Sequence, residues 1–363
     1  MALNRTFWGG RRVLLTGHTG FKGTWLLLLL ERLGAEVTGL SLAPPTTPAM
    51  FDMIDGANRC RHIIGDIRDL GAVRAAIEAA QPQTILHLAA QPLVRRSYDD
   101  PLETYSTNVM GTANVLAAAR SVHGLRSIVS VTTDKCYEND GRAEGYREDS
   151  RLGGHDPYSN SKACAELVTQ SFRDSYYACR RIGLATARAG NVIGGGDYAE
   201  ARLVPDCARA FGEGRTLELR YPAAVRPWQH VLEPLVGYLE LAQRLEREPE
   251  RFAGGWNFGP AAADLAPVSR VVELAAKIWG VTGGWTTQPG DHPHEAGMLT
   301  LDSAKAMREL GWHPELTLAD AVGWSAEWYR RVAGGADAAA VTGEQIDQYM
   351  ARMGAAAASR VAA

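Results

Sequence analysis

A short apolar run near the N-terminus leads directly into a glycine-rich turn and then into a helical pattern. The run covers residues 12–16, and the turn reads Thr16-Gly17-His18-Thr19-Gly20-Phe21-Lys22-Gly23. Glycines spaced G-x-x-G-x-x-G at a strand-to-helix turn let backbone N–H groups approach a pyrophosphate closely. The N-terminus of the following helix adds partial positive charge. We therefore predict that Gly17, Gly20 and Gly23 lie at a bound dinucleotide.

Two alternatives to this interpretation are an empty connecting turn and a P-loop. A P-loop needs G-x-x-x-x-G-K-[ST], whereas Lys22 stands five residues after Gly17 and is followed by Gly23. The carboxylate that often binds the adenosine ribose is missing, because the second apolar run ends Gly-Leu-Ser-Leu at residues 39–42. No arginine follows immediately that could hold a 2′-phosphate. The residues therefore exclude the P-loop and leave the choice between NAD and NADP open.

Short apolar runs alternate with helical patterns over the first two-thirds of the chain, which is typical of βα units around a parallel sheet. Predicted strands are residues 12–16, 37–42, 62–65, 84–88, 127–132 and 184–188. Predicted helices are residues 23–33, 71–80, 105–121, 158–177, 269–279, 303–310 and 318–331, followed by a partly helical or frayed tail from about Gly334. We predict an α/β fold, a Rossmann-like doubly wound parallel sheet with a smaller C-terminal α/β substrate domain.

The length of 363 residues suggests two domains. After about Asn191 the regular alternation gives way to Gly- and Pro-rich loops around shorter elements. We therefore predict a dinucleotide-binding domain of residues 1–190, to which residues 229–258 return. Residues 191–363 form mainly the substrate-binding domain.

Composition excludes several classes of function. Lys+Arg 38 against Asp+Glu 41 gives a net charge of -3, which offers no general basic field for nucleic acid or an anionic membrane. The apolar run at residues 25–30 is far shorter than the ~20 residues of a membrane span. Five scattered cysteines with no C-x-x-C pair disfavour a disulfide framework and a structural zinc site. We expect a cytoplasmic protein with no nucleic-acid or membrane partner.

Two clusters of reactive side chains indicate catalysis. Tyr158 and Lys162 are spaced i, i+4 on a predicted helix and so share one face. An unperturbed tyrosine pKa of about 10 is too high for a base, but a nearby ammonium and a bound nicotinamide cation would lower it. Thr133, Asp134 and Lys135 follow the fifth predicted strand, at the sheet edge where ligands bind. A surface helix pair is the alternative for Tyr158 and Lys162.

The motifs together resemble those of a known family. In order they are TGHTGFKG, HLAAQ at residues 87–91, TTDK at 132–135, YSNSK at 158–162 and RAGNVIGGGD at 188–197. This series is similar to the extended short-chain dehydrogenase/reductase family and, within it, to the nucleotide-sugar 4,6-dehydratases that act on CDP-glucose. That branch is favoured by Asp134-Lys135, where dTDP-glucose relatives have Asp-Glu, and by the stretch DHPHEA at residues 291–296.

The resemblance implies NAD as the cofactor and indicates where it binds. Asp66 suits the adenine edge, although it could equally be a simple cap for the next helix. The positions that the family pattern assigns to the cofactor are Gly17, Thr19, Gly20, Phe21, Lys22, Gly23, Asp66, Ile67, Leu88, Ala89, Ala90, Tyr158 and Lys162.

The resemblance also implies a redox-neutral dehydration. Tyr158 would take the proton from the sugar hydroxyl at carbon 4, with Lys162 holding its phenolate and Thr133 bonding the reacting oxygen. Asp134, protonated, would donate to the departing hydroxyl of carbon 6. Lys135 would be the base at carbon 5, or would orient a water that is. The product would be a 4-keto-6-deoxy sugar nucleotide, for deoxysugar and lipopolysaccharide O-antigen synthesis.

The expected substrate is CDP-glucose, bound by a small set of residues. The pattern places Asn191 and Arg226 at the diphosphate, and we add Gln91, His294 and Glu295 as substrate contacts. His292 and His294 are poor evidence for a metal, so no metal site is predicted. Relatives pair through two long helices, here residues 105–121 and 158–177, so we expect a homodimer or homotetramer.

Three alternatives stay open for the function. The first is a 4,6-dehydratase for dTDP-glucose or GDP-mannose. The second is a nucleotide-sugar 4-epimerase of the same fold, which would not need an acid and a base at Asp134 and Lys135. The third is a non-enzymatic dinucleotide-binding scaffold, which would not need Thr133, Tyr158 and Lys162 together.

Overall fold

A seven-stranded parallel sheet forms the centre of the protein, whose computed structural model describes residues 3–142, 144–287 and 299–362. The strands of the described chain are β1 (Arg12–Thr16), β2 (Glu36–Ser41), β3 (Arg61–Ile64), β4 (Thr84–His87), β5 (Ser127–Val131), β6 (Gly183–Ala189), β7 (Asn191–Ile193), β8 (Leu217–Leu219), β9 (Val225–Arg226), β10 (Trp228–His230), β11 (Gly254–Phe258), β12 (Ala266–Pro267) and β13 (Trp285–Thr287). The sheet order is β11-β6-β5-β4-β1-β2-β3, with every neighbouring pair parallel.

This order confirms the predicted Rossmann-like, doubly wound sheet. The strand order reverses between β1 and β4, and ligands of such sheets bind outside the carboxyl ends of the strands at that point. The six predicted strands of the first two-thirds all exist, with ends within one or two residues of the prediction. β11 is the seventh strand and pairs with β6, with Gly254 opposite Ala185.

The helices cover both faces of the sheet. They are α1 (Arg5–Trp8), α2 (Phe21–Arg32), α3 (Met50–Met53), α4 (Leu70–Ala80), α5 (Val94–Asp99), α6 (Pro101–Tyr105), α7 (Thr112–Ala119), α8 (Pro157–Phe172), α9 (Leu203–Gly212), α10 (Leu232–Arg247), α11 (Pro249–Phe252), α12 (Val268–Trp279), α13 (Leu318–Ala333) and α14 (Ala338–Ala362). α2 and α10 pack together on one face, and α4, α7 and α8 pack on the other.

Three predicted helices differ in their internal structure. The helix predicted for 105–121 is α6, a π-helical segment Ser106–Gly111, and then α7. The helix predicted for 158–177 is α8 followed by a π-helical segment Arg173–Tyr177. Much of the helix predicted for 303–310 is a π-helical turn, Ala306–Leu310. Apolar periodicity does not distinguish these segments, because the pattern indicates only which face is buried.

The two faces of β1 show why its sequence lacks polar alternation. Val13 and Leu15 lie in the core shared with α2 and α10, whereas Leu14 lies in the second core with Ile85 and Val115. Parallel strands covered on both sides are apolar throughout. Truncating one of these fully buried leucines to alanine is expected to cost ~2–5 kcal/mol. This packing fixes the carboxyl edge, where the candidate site lies.

The C-terminal part contributes short strand pairs and helices around that edge. β7 pairs with β10 in parallel, β9 with β12 antiparallel, and β8 with β13 in parallel. The tail predicted as partly helical or frayed is the 25-residue helix α14, anchored where Tyr349 donates a 2.6 Å hydrogen bond to the buried Glu233. Within the described ranges, none of the helices is long and apolar enough to cross a membrane. The division into domains at residue 190 stays a prediction.

Candidate active site

The glycine loop is shaped by contacts that a side chain would prevent. Gly17 has φ +78°, and an added Cβ there would lie 2.7 Å from the backbone nitrogen of Ala89. A Cβ on Gly23 would lie 2.0 Å from the carbonyl oxygen of Gly17. Gly20 is the N-cap of α2 and has no side chain to cover the helix N-terminus. The loop therefore closes against the end of β4 and leaves the backbone N–H groups of α2 available to a pyrophosphate.

Further contacts place the segment after β4 beside this loop. Thr16 Oγ1 accepts hydrogen bonds from Leu88 N and Ala89 N, both at 3.2 Å. The same hydroxyl is 2.7 Å from His87 Nδ1. Leu88, Ala89 and the following Ala90 thus border the glycine loop, as expected of a dinucleotide cradle. Contact between these residues and a cofactor stays a prediction.

Hydroxyl groups occupy the position where a ribose-binding carboxylate often stands. Thr19 Oγ1 lies 2.7 Å from Ser41 Oγ and donates to Leu42 O at 3.0 Å. This pair joins the glycine loop to the end of β2. A hydroxyl can hydrogen-bond a ribose hydroxyl, and unlike a carboxylate it does not repel the 2′-phosphate of NADP. The geometry at Thr19 and Ser41 therefore does not by itself distinguish NAD from NADP.

Asp66 lies at the end of β3 and does not cap a helix. The N-cap of α4 is Asp69, which accepts a hydrogen bond from Gly71 N at 2.7 Å. The Asp66 carboxylate instead accepts from the backbone and side chain of Arg68, both at 2.8 Å. The hydrogen bond from the Arg68 side chain lowers the pKa of Asp66. The helix-cap alternative is thus wrong, and an adenine contact for Asp66 or Ile67 stays a prediction.

The tyrosine, lysine and threonine of the predicted catalytic set converge at the carboxyl end of β5. Asp156 caps α8, which therefore begins one turn before Lys162 and presents Tyr158 and Lys162 on one face. The Thr133 hydroxyl lies close enough to the Tyr158 hydroxyl to lower the pKa of the phenol. Lys162 Nζ donates to Val131 O, the last carbonyl of β5, at 3.2 Å. The structure thus brings together two clusters that lie 25 residues apart in sequence.

Asp134 lies next to Thr133, and only one of its two carboxylate oxygens accepts a hydrogen bond from the described residues. Its Oδ1 accepts from Thr133 Oγ1 at 2.9 Å, whereas its buried Oδ2 has no hydrogen-bond partner among the described residues. Oδ2 points towards Gly190, where an added Cβ would lie 3.2 Å away. Lys135 Nζ lies 3.8 Å from Asp134 Oδ1, with its side chain about one-third exposed at 31%. An acid and an amine therefore lie side by side next to Thr133.

Burial and neighbouring charges perturb the titratable groups of this site. Burial raises the pKa of Tyr158 to about 12, against the lowering effect of its bond to Thr133 and of the Arg202 guanidinium. Burial lowers the pKa of Lys162 to about 8. Burial and then the cations Arg202 and Lys162 lower the pKa of Lys22 to about 7. Strong perturbation of several groups in one place is typical of a catalytic centre.

The predicted diphosphate residues flank the same edge. Asn191 begins β7 and is half-buried, paired in register with Trp228. Arg226 is 5% exposed on β9, and its Nη1 donates to Val225 O at 2.9 Å. Gly190 separates this region from Asp134, since an added Cβ there would also touch Pro227 at 2.5 Å. Asn191 and Arg226 stay predictions as substrate contacts. His294 and Glu295 lie outside the described residues.

The glycines after β7 serve close packing. A Cβ on Gly194 would lie 3.1 Å from the ring of Phe21, and one on Gly195 would lie 2.0 Å from Trp328. The carbonyl of Gly195 accepts from Trp25 Nε1 at 2.8 Å. All three glycines from 194 to 196 are buried. This segment is therefore closely packed, because α2 and α13 hold it against the glycine loop.

Gln91 forms hydrogen bonds with neighbouring residues of the protein. Its backbone N–H donates to Asn108 Oδ1 at 2.8 Å, and its Nε2 donates to Leu93 O and Thr104 Oγ1 at 3.0 and 2.9 Å. Its Oε1 accepts from Leu93 N at 2.6 Å. Both amide hydrogens are thus taken by the protein, and the predicted substrate contact for Gln91 gains no support from this geometry.

Residues 13–253 match the model of the NAD dependent epimerase/dehydratase family. The chain belongs to this family. The match runs from β1 through the glycine loop and α8 to the end of α11. It therefore includes the glycine loop and the residues at the exit of β5, whereas His294 and Glu295 lie beyond it.

Named relatives of the family align over most of the chain. The chain is 46% identical over 353 residues to the CDP-glucose 4,6-dehydratase of Salmonella typhimurium, covering 96% of this chain and 98% of that protein. It is 30% identical to the dTDP-glucose 4,6-dehydratase of Streptomyces griseus, over 88% and 94% of the two chains. The solved dTDP-glucose 4,6-dehydratase DesIV of Streptomyces venezuelae, with NAD bound, matches with a TM-score of 0.76 at 25% identity, over 89% of this chain and 98% of that one. The predicted resemblance is confirmed.

Membership of the family decides between the two dinucleotides that the sequence left open. The cofactor is NAD, as the family's description and the NAD-bound neighbour both show. The residues present fit it, because the crowded Gly17 and Gly23 and the uncapped start of α2 form a cradle for a pyrophosphate. Gly17, Gly20 and Gly23 would hold the phosphates, and Tyr158 with Lys162 would face the nicotinamide end.

The sequence reasoning missed three charged residues at this site. Glu166 and Arg188 form a buried ion pair at 2.8 Å behind Lys162. Arg202 lies close enough to Tyr158 and Lys22 to alter both pKa values, and its Nε is 3.6 Å from Asp197 Oδ2. The signal for Glu166 was its position four residues after Lys162 on the same helix. Arg202 offered no comparable signal, since only the fold brings α9 to the catalytic edge.

Proposed function

We propose that the chain is a CDP-glucose 4,6-dehydratase. It oxidises CDP-glucose at carbon 4, eliminates water across carbons 5 and 6, and reduces carbon 6, giving the CDP-4-keto-6-deoxy sugar. The observation that carries the proposal is the position of Asp134 and Lys135 next to Thr133 and Tyr158. Oxidation at carbon 4 needs only the tyrosine and its neighbours, whereas elimination of water also needs an acid and a base. The named Salmonella relative supports CDP-glucose as the substrate.

The first task of the site is removal of the proton from the hydroxyl at carbon 4. When bound, NAD supplies the acceptor for the hydride and a positive charge at its nicotinamide ring. Buried Tyr158 holds its proton at neutral pH without that charge, because its pKa is about 12. The cation of Lys162, on the same face of α8, and the neighbouring Thr133 hydroxyl would stabilise the phenolate, so Tyr158 becomes a competent base when the cofactor and the substrate are bound.

The second task is elimination of water, which we assign to Asp134 and Lys135. A carboxylic acid and a neutral amine are the forms that the reaction needs. An Asp134–Lys135 ion pair becomes that neutral pair by moving a single proton, and the two groups lie 3.8 Å apart. Asp134 Oδ2, buried and without a partner among the described residues, is the atom suited to hold the proton for the hydroxyl leaving carbon 6.

Binding of the sugar nucleotide falls to the flank of the site. Arg226 and Asn191 would hold the diphosphate, since a planar guanidinium matches phosphate oxygens in two-point contact. The near-neutral chain offers no broad attractive field, so affinity for phosphate must come from such placed groups and from the start of α2. His294 and Glu295 stay predictions for the nucleotide end.

We further propose that the protein is a homodimer or a tetramer built from dimers. Large apolar side chains are exposed on the helices next to the site, and they are Tyr98, Leu102, Met110, Leu167 and Tyr176. They lie on α5, α6 and α8 and on the π-helical segments Ser106–Gly111 and Arg173–Tyr177. Pairing these helices with a second copy would bury a contiguous apolar surface, which single proteins rarely leave exposed.

The cellular setting follows from the same proposal. All five cysteines are free thiols, which suits the reducing cytoplasm. The keto product would feed the synthesis of deoxysugars such as those of lipopolysaccharide O-antigens.

The test is a panel of substrates. The protein with NAD is incubated with CDP-glucose, dTDP-glucose, UDP-glucose and GDP-mannose, and the 4-keto product is measured. We expect product from CDP-glucose with the highest kcat/KM. Preference for dTDP-glucose or GDP-mannose would contradict the assigned substrate but not the assigned reaction. A 4-epimer formed without loss of water would refute the assignment as a dehydratase.

A further inference from the structure

Three consecutive residues at the exit of β5 face three residues spaced four apart on α8. Val131 O accepts from Lys162 Nζ at 3.2 Å, and the Thr133 hydroxyl lies close enough to that of Tyr158 to lower the pKa of the phenol. Between them, the hydroxyl of Thr132 donates a short hydrogen bond to Glu166. The catalytic tyrosine and lysine are therefore attached to the same short segment as a glutamate one turn further along the helix.

Glu166 is fixed much more firmly than its two neighbours on α8. Its carboxylate also accepts from Thr186 Oγ1 at 2.6 Å, and from Arg188 Nε and Nη2 at 2.9 and 2.8 Å. Glu166 and Arg188 are 4% exposed each. Charge-assisted bonds of this kind are shorter and stronger than neutral ones. Glu166 is thus the most rigid of the attachment points between α8 and the sheet.

Arg188 is itself held from the far side. Its Nη1 donates to Tyr137 Oη at 2.6 Å and to Glu148 O at 3.1 Å, and Tyr137 donates to Asn257 at 2.7 Å. The ion pair is therefore anchored in the sheet and in the segment that follows β5. An isolated surface helix would not need such a network.

We propose that Glu166, acting through Thr132, is a positioning residue that sets the placement of Tyr158 and Lys162 relative to the exit of β5. Rotation or sliding of α8 would lengthen the bond from Lys162 to Val131 and move Tyr158 away from Thr133 at the same time, because Tyr158, Lys162 and Glu166 lie on one face of the helix. Placement errors of about 1 Å at reacting groups reduce rates by up to ~100-fold. The inference rests on the proposed function, since it concerns the same tyrosine and lysine.

The chain offers a matched pair of variants for the test. Thr132→Val and Thr186→Val each remove one buried hydroxyl bond to Glu166 and leave its three other donors in place. Only Thr132 belongs to the segment 131–133 that holds Tyr158 and Lys162. A merely structural role for Glu166 would make the two variants equivalent.

We expect T132V to lower kcat at least about tenfold with little change in KM, and T186V to stay close to wild type. We also expect crystals of T132V to show the Lys162–Val131 bond lengthened beyond hydrogen-bond reach and Tyr158 moved away from Thr133.

Equal kinetic effects of the two substitutions, or unchanged bond lengths in T132V, would overturn the positioning role. So would wild-type kcat in T132V despite lengthened bonds. If wild type makes no 4-keto product from any of the four sugar nucleotides, the proposed function fails. Lengthened bonds in T132V, but not in T186V, would still support positioning in that case.

Discussion

Gly17→Ala provides a quantitative test of the cofactor cradle. At φ +78°, any side chain pays a left-handed backbone cost of ~1–2 kcal/mol. The new Cβ would also lie 2.7 Å from Ala89 N, where ordinary contact begins at about 3.4 Å. The loop and the end of β4 must therefore separate by about 0.7 Å, enough to lose a hydrogen bond between a loop N–H and a phosphate oxygen.

The expected loss of NAD affinity follows from that bond. A hydrogen bond to a charged group is worth ~1.5–3 kcal/mol, which corresponds to a ~10–100-fold increase in Kd for NAD. Gly311→Ala is the matched control, since Gly311 has φ +74° and nothing within 4 Å of an added Cβ. Both variants should lose stability by the left-handed backbone cost of ~1–2 kcal/mol in thermal melts, and G17A should lose more because of its contact with Ala89. Only G17A should lose affinity in calorimetric titration with NAD. Wild-type affinity in G17A, or an equal loss in G311A, would refute the assignment of the loop.

Three further predictions concern catalysis, pH and assembly. Tyr158→Phe removes the proposed base, so kcat should fall at least ~100-fold while CDP-glucose still binds in titration, and near-normal turnover would contradict its role. Because the pKa of Lys162 is lowered to about 8 by burial, its stabilising cation is present below that pH and lost above it. Therefore kcat should fall as pH rises through about 8, and a flat profile across that pH would count against the lysine. Leu102→Glu, at a leucine 80% exposed on α6, should give a monomer by light scattering, whereas Leu42→Glu, 54% exposed at the end of β2, should leave the assembly intact. A monomeric wild type would refute the proposed dimer.

The central sheet could be predicted from the sequence because its signals are local. Apart from the edge strand β3, the strands from β1 to β6 are largely buried, and the glycine loop follows the first of them directly. β11 was harder, since Gly254, Gly255 and Asn257 have low strand propensity and only pairing with β6 makes them a strand. α10 was missed although its apolar residues recur at helical spacing among polar ones such as Glu233 and Glu240, which the fold buries.

The candidate site shows the same division between local and distant information. Tyr158 and Lys162 could be found from one helical spacing, and Thr133 to Lys135 from their place after a strand. The roles of Arg202, Arg188 and the buried glycines after β7 depend on contacts between segments far apart in sequence. Hydrophobic pattern and residue spacing describe only local structure and do not predict those contacts, so they can be identified only in the folded chain.

The central claim is an intramolecular exchange in which the hydrogen removed at carbon 4 returns at carbon 6. CDP-glucose deuterated at carbon 4 tests it directly when the product is examined by NMR and mass spectrometry. We predict a 4-keto-6-deoxy product that has lost one water and has the deuterium on carbon 6. Deuterium retained at carbon 4 in an epimer, or a product that has not lost water, would contradict the account.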